Sequence, residues 1–220
     1  MHIASHGRPV LSATDLSAFA ACRHRTGLDL AVALGLLPRP RWSNPASEAL
    51  IERGREHERA YVERLRAGHR TVCDLTDAAD RVESTRAAMR DGIDIVVQGE
   101  LDVAGWRGRP DLLVRVETPS GLGDWSYEVH DTKLARETRG DTILQLAVYS
   151  EMLGEFQGLR PARFCVVTPD PVAPIHEYRL DDYAAYCRMM RARLAGAITR
   201  SPDDIQAADY PEPIAHFDIC

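Results

Sequence analysis

Three stretches in tandem decide what this chain can become: 93-IDIVVQGELDVAG-105, 109-RPDLLVRVE-117 and 125-WSYEVHDTK-133. The first alternates and is rich in β-branched residues, the signature of a strand, and the other two read the same way. The separators are short. Residues 105-GWRG-108 read as a turn and 118-TPSGLGD-124 as a Gly/Pro/Ser loop. Strands joined this closely pair as an antiparallel meander.

The flanks are mostly helical. Residues 12-SATDLSAFAACRHRTGLDLAVALGL-36 read as a helix in two pieces, with Ser12, Thr14 or Asp15 as the cap. A proline-broken loop, 37-LPRPRWSNP-45, follows. Residues 46–67 have helical periodicity, with Leu50, Tyr61 and Leu65 on or near one stripe, and Gly68 ends that helix. A short strand over 69–75 and a polar helix over 77–91 lead into the meander. After it, 141–154 form an amphipathic helix with Ile143, Leu144, Ala147, Val148 and Met152 on its apolar side. The run 163-RFCVVTP-169 is apolar throughout, as in a strand buried on both faces. Residues 174–180 alternate, and 181–198 are helical from an Asp cap. The expected fold is α/β with a mixed central sheet. Its parts are an N-terminal helical region 1–92, a core 93–200 and a C-terminal segment 201–220.

At 220 residues the chain suits one domain with a helical accessory part. No apolar run reaches the ~18–20 residues that span a bilayer; the longest, 28-LDLAVALGLL-37, contains Asp29 and stops at Pro38. The N-terminus lacks the pattern of a secretory leader, so the expectation is a cytoplasmic protein with no membrane contact. Five cysteines, at 22, 73, 165, 187 and 220, are too scattered for a disulfide framework. Cys73, Cys165 and Cys187 read as buried thiols. A formal charge of −6 does not advertise nucleic-acid binding, although arginines gather in 52-ERGREHERAYVERLRAGHR-70 and 188-RMMRAR-193. Arg–Glu interleaving of this kind also suits a solvated helix face.

The chemistry centres on Lys133, the only lysine among 27 Lys+Arg. Asp131 and Lys133 are two apart on one strand and share a face, with Thr132 pointing the other way into the core. A hairpin can bring Asp111 opposite Asp131, with paired positions ~4–5.5 Å apart. Two carboxylates so placed repel unless a cation joins them, and oxygen-rich sites suit Mg²⁺ or Mn²⁺. An ammonium beside them can position a water or stabilise a developing oxyanion, which a planar, always-protonated guanidinium does badly. The plain alternative is an Asp–Lys pair on an exposed strand. Both carboxylates lie in apolar runs, however, where an idle charge is costly to bury. Gln145 and Tyr149 are one helical turn apart and can hydrogen-bond a phosphate or simply face solvent. His57 lies one turn after Gly54 and can complete a metal's coordination or sit on the helix surface; the glycine would permit a close approach.

Taken together, 53-RGREHE-58, 108-GRPDLLVRV-116, 129-VHDTKLAR-136 and 145-QLAVY-149 resemble the PD-(D/E)xK nuclease superfamily, in its RecB-like branch. That branch includes CRISPR-associated exonucleases and nucleases joined to a helicase. The resemblance covers nearly the whole chain and implies a restriction-endonuclease-like core. It makes His57, Asp111, Asp131 and the backbone carbonyl of Thr132 metal ligands, Lys133 the catalytic lysine, and Gln145 and Tyr149 the branch's Q-x-x-x-Y motif. The implied reaction is metal-dependent hydrolysis of a DNA phosphodiester leaving a 5′-phosphate, on single strands or ends, in repair, recombination or defence. Many such proteins hold an iron–sulfur (4Fe–4S) cluster. Cys22 resembles its first ligand, and 210-YPEPIAHFDIC-220 resembles the closing cysteine segment with Cys220 as one ligand. Phe217 stands where another cysteine is expected, so Cys22 and Cys220 alone cannot assemble the cluster. It is lost, held by other ligands such as His24 or His216, or completed from outside a fragment. The competing expectation is a DNA-binding or interaction module that keeps the nuclease fold and cuts poorly or not at all. A zinc site is disfavoured, since no C-x-x-C spacing occurs.

Overall fold

The computed structural model describes residues 1–4, 7–40, 45–172 and 174–199. In chain order the elements are β1 (His2–Ile3), β2 (Pro9–Val10), α1 (Ala13–Ala21), α2 (Arg23–Ala33), α3 (Pro45–Ala67), β3 (Val72–Asp74), α4 (Arg81–Arg90), β4 (Ile95–Val97), β5 (Leu101–Val103), β6 (Trp106–Gly108), β7 (Leu112–Val116), β8 (Ser126–Thr132), α5 (Gly140–Gln157), β9 (Arg163–Val167), β10 (Ile175–Arg179) and α6 (Asp181–Ala197). The fold is α/β. A six-stranded mixed sheet has the order β10-β9-β8-β7-β4-β3. Its β3/β4 and β8/β9 pairs are parallel and the other three antiparallel.

Alternation along each strand sends side chains to two separate cores. Val96, Leu113, Tyr127, Val129, Phe164 and Val166 pack with buried residues of α1, α5 and α6. Ile95, Val97, Leu112, Val114 and Val167 face Tyr61 and Val62 of α3. With helices on both sides, β9 is buried along four of its five residues, as its unbroken apolar run requires. The helix α5 is the crossover between the parallel strands β8 and β9.

The meander is present as β4, β7 and β8, but its first strand is not continuous. β4 stops at Val97, Gln98 takes a left-handed φ of 53°, and β5 leaves the sheet to pair with β6. Ala104 and Gly105, both at positive φ, turn that hairpin, so Trp106–Gly108 is strand where a turn is expected. Two further expectations are corrected. Leu50 is 58% exposed, so the packed stripe of α3 starts further along, at Tyr61 and Val62. The N-cap of α6 is Leu180, with no side-chain capping bond, because Asp181 is engaged by Arg160. Ser12 does cap α1, in a reciprocal box with Asp15. Among the described residues no helix is long and apolar enough to cross a membrane.

Candidate functional site

The site lies at one end of three neighbouring interior strands, β4, β7 and β8. β7 pairs Leu112 with His130, and one more step along the ladder sets Asp111 opposite Asp131. β4 pairs Val97 with Leu112, and the next step sets Gln98 opposite Asp111, whose carbonyl accepts the Gln98 N–H at 2.8 Å. Gln98, Asp111 and Asp131 therefore form one row across three strands. Leu113, Tyr127 and Val129 pack under α5, and by the strand period Asp111, Asp131 and Lys133 turn to that same face.

Asp131 is 1% exposed, and its carboxylate is ion-paired with the Lys133 ammonium. Its buried Oδ2 atom is the oxygen that faces the ammonium. Burial first, then the Asp111 charge, pushes the Asp131 carboxyl well above the ordinary carboxylate range, against the pull of Lys133. Burial opposes the Lys133 charge, but the Asp131 and Asp111 carboxylates outweigh it and raise the amine above its ordinary value. The backbone of Lys133 is pinned by its N–H to the Val167 carbonyl at 2.9 Å. Asp111 Oδ2 accepts from the Thr132 N–H at 2.8 Å and from the Thr132 hydroxyl at 2.9 Å. Thr132 is thus half-buried at the site rather than turned into the core, because its hydroxyl finds a carboxylate at the strand end.

Gln145 and Tyr149 come in from α5, one turn apart, and Gln145 Nε2 donates to the Tyr149 hydroxyl at 3.2 Å. Tyr149 is 4% exposed, and burial, with the Asp131 and Asp111 charges adding, raises its phenol above the ordinary value. A cavity of about 320 Å³ opens beside Lys133 and Gln145, between Thr14 and Ser17 of α1 and the first turn of α5.

His57 is close by but differently occupied. Its Nε2 lies 3.1 Å from the same Val167 carbonyl that holds Lys133. A carbonyl oxygen only accepts, so Nε2 carries the proton there and Nδ1 is the nitrogen left for a ligand. Among the described residues nothing lies within 4 Å of where a Gly54 Cβ would stand, so no protein backbone makes the close approach there. The arginines of α3 pair along the helix, Arg59 with Glu52 at 2.7 Å and Arg66 with Glu63 at 2.6 Å, as on a solvated face. Cys165 and Cys187 are buried, and burial pushes their thiols up to about 12 and about 11, which makes them inert. Cys73 is only half-buried. Cys22 is buried and serves as the N-cap of α2, its sulfur accepting from the Arg25 N–H at 3.4 Å. Cys220, Phe217 and His216 lie outside the described residues.

Three residues at the site have no counterpart in the sequence-based assignment. Glu58, next to His57, accepts from Gln98 Nε2 at 2.7 Å. Burial first, then the Asp111 charge, raises its carboxyl. Gln98 itself is unremarkable in sequence, because only its backbone conformation gives it a role. Gly108 had a readable signal: it opens the 108-GRPDLLVRV-116 motif, and a Cβ there would come within 2.4 Å of the Tyr149 ring.

Whether these residues suit a divalent ion follows from the donors. They are oxygens, two of them on carboxylates from paired positions, one of which is buried against the Lys133 ammonium. A cation such as Mg²⁺ or Mn²⁺ would offset the repulsion between them. Asp111, Asp131 and the Thr132 carbonyl fit such an ion. Among the described residues no three His, Cys, Asp or Glu side chains already close about one point.

No family model matches the chain, and no curated protein matches it. Among solved structures, the one described as the crystal structure of SSO0001 is 17% identical, covering 86% of this chain and 74% of that chain. Its TM-score of 0.34 is too low to carry any argument about fold or site.

Proposed function

We propose that the chain is a metal-dependent nuclease with a restriction-endonuclease-like core, hydrolysing DNA phosphodiesters in the manner of the RecB-like branch. The observation that carries this reading is the strand register that sets Asp111 opposite Asp131, with the lone lysine ion-paired to the buried member. Setting a half-buried carboxylate beside a buried one is costly in a site with no use for them. Asp111, Asp131 and the Thr132 carbonyl would hold a Mg²⁺ or Mn²⁺ ion. When bound, the ion supplies charge that polarises a phosphoryl oxygen and lowers the pKa of water. Lys133, as an ammonium, would orient the attacking water and stabilise developing negative charge. Gln145 and Tyr149 hold the strand beside it, Gln145 from the wall of the cavity and Tyr149 through its hydroxyl. DNA is the proposed partner, with a helicase or other nucleic-acid-processing domain as companion.

The test is cleavage of end-labelled single- and double-stranded DNA with Mg²⁺ or Mn²⁺, comparing wild type with Asp111→Ala and Lys133→Ala. Wild type should cut, and each variant should lose roughly 10²-fold or more, the scale of removing one preorganised electrostatic contact. Equal cutting by all three would sink the nuclease reading. Tight DNA binding by all three without any cutting would instead support a nuclease-fold binding module.

A further inference from the structure

Gln98 is one of only three non-glycine residues at positive φ among those described, and it stands in the site's own row, next to Asp111. Left-handed backbone is costly for a residue with a Cβ, and such strain gathers where a function over-determines it. Here it aims the Gln98 side chain off the sheet towards α3. The Nε2 atom donates to Glu58 Oε1 at 2.7 Å, while the backbone N–H holds the Asp111 carbonyl at 2.8 Å. One strained residue therefore ties a carboxylate on α3 to a carboxylate at the start of β7. Gln98 engages only Oε1, so the other Glu58 oxygen is left to a further partner. Independently, Asp131 in the same row is 1% exposed and stands opposite Asp111 across the ladder, a pair of charges that a cation would offset.

We propose that Glu58, held by Gln98, is the third carboxylate of the divalent-ion site, accepting hydrogen bonds from water on the ion rather than touching it. This rests on the ion-site reading of Asp111 and Asp131 given above. A water-mediated role follows from two facts. The three carboxylates do not close about one point. Mg²⁺ gives up its waters reluctantly and keeps several of them. Glu58 is still near enough for the Asp111 and Lys133 charges to act on it. It also accounts for the division of labour at the α3 sequence His57–Glu58. The imidazole Nε2 is spent on the Val167 carbonyl, and the neighbouring carboxylate faces the site. Gln98 and Glu58 are thus positioning residues, acting through the ion's water shell.

The experiment is Mn²⁺ binding by titration calorimetry near neutral pH, with cleavage followed in parallel against Mn²⁺ concentration. The variants are Glu58→Gln, Gln98→Gly and Asp131→Asn. Glu58→Gln keeps an acceptor for Gln98 and removes only the charge. Gln98→Gly relieves the backbone and removes only the tether, so a purely structural Gln98 would leave ion binding untouched. Each of these two should bind Mn²⁺ about tenfold more weakly, the usual scale for outer partners of a metal site. Half-saturation of cleavage should shift by the same factor, with the rate at saturating Mn²⁺ largely kept. Should Gln98→Gly fail to fold, Gln98→Asn, which also tolerates the left-handed region but is one methylene short, takes its place. Wild-type Mn²⁺ affinity in the Glu58 variant or in the Gln98 variant overturns this inference. No binding by wild type, or undiminished binding by Asp131→Asn, overturns the ion-site reading itself.

Discussion

Replacing Gly108 by alanine probes how the sheet and α5 together place the site. The new Cβ would lie 2.4 Å from Tyr149 Cε1, closer than real contacts come, and 3.1 Å from Cδ1, tighter than most. The ring has little room to yield, because Tyr149 is 4% exposed and its hydroxyl is bonded to Gln145. Forcing an extra methyl into packing of this kind costs about 1–3 kcal/mol. For a chain of this size each kcal/mol lowers Tm by roughly 2–4 °C, so a fall of about 2–12 °C is expected. The assay is thermal unfolding followed by circular dichroism, run as a double-mutant cycle with Tyr149→Ala. Removing the ring should make Gly108→Ala nearly silent. An unchanged Tm in the single variant, or an equal loss with and without the Tyr149 ring, would refute the packing inferred here. If cleavage is confirmed, Gly108→Ala should also impair it, since any shift of the ring carries Gln145 with it.

Two further outcomes follow from buried polar groups. Gln157, 1% exposed, bonds both the N–H and the C=O of Tyr127, at 2.8 and 3.2 Å. It serves β8 there before β9 has begun, and its Nε2 also donates to the Leu159 carbonyl at 2.9 Å, so Gln157→Leu should cost about 2–4 kcal/mol by orphaning these backbone groups. Chemical denaturation measures this, and an unchanged midpoint would contradict it. His130 is hydrogen-bonded to the Tyr61 hydroxyl at 3.0 Å, and burial, then nearby Arg70 and Arg163, pushes its imidazole down to about 4. A base whose folded pKa is lowered stabilises the fold above its unfolded value and loses that contribution as pH falls through the folded one. Wild type should therefore weaken between about pH 6.5 and pH 4 more steeply than His130→Asn; parallel acid-unfolding curves would rule this out.

The parts of the site visible in the sequence share one property: they depend on local periodicity. Asp131 and Lys133 are two apart on a strand, and Gln145 and Tyr149 four apart on a helix, so each pair shares a face before any tertiary contact forms. The Asp111–Asp131 pairing was legible too, because the alternating runs and short loop around them leave little freedom of register. Leu50 and the Asp cap of α6 were misread for the opposite reason. Leu50 sits on a helix whose packed part starts only at Tyr61, and Asp181 is drawn to Arg160, twenty-one residues back. Thr132 was assigned to the core by period alone, but at the strand end its hydroxyl reaches Asp111.

What the chain determines by itself is the alternation of its strands, the faces of its helices and the singular lysine, since these follow from covalent spacing and side-chain chemistry. Only the folded structure decides that Gln98 turns left-handed, that His57 gives its Nε2 to Val167 while Glu58 takes the Gln98 amide, and that Gly108 must stay bare against Tyr149. Those contacts join residues dozens of positions apart. Their energies arise from burial and close packing, which exist only once both cores of the sheet have formed.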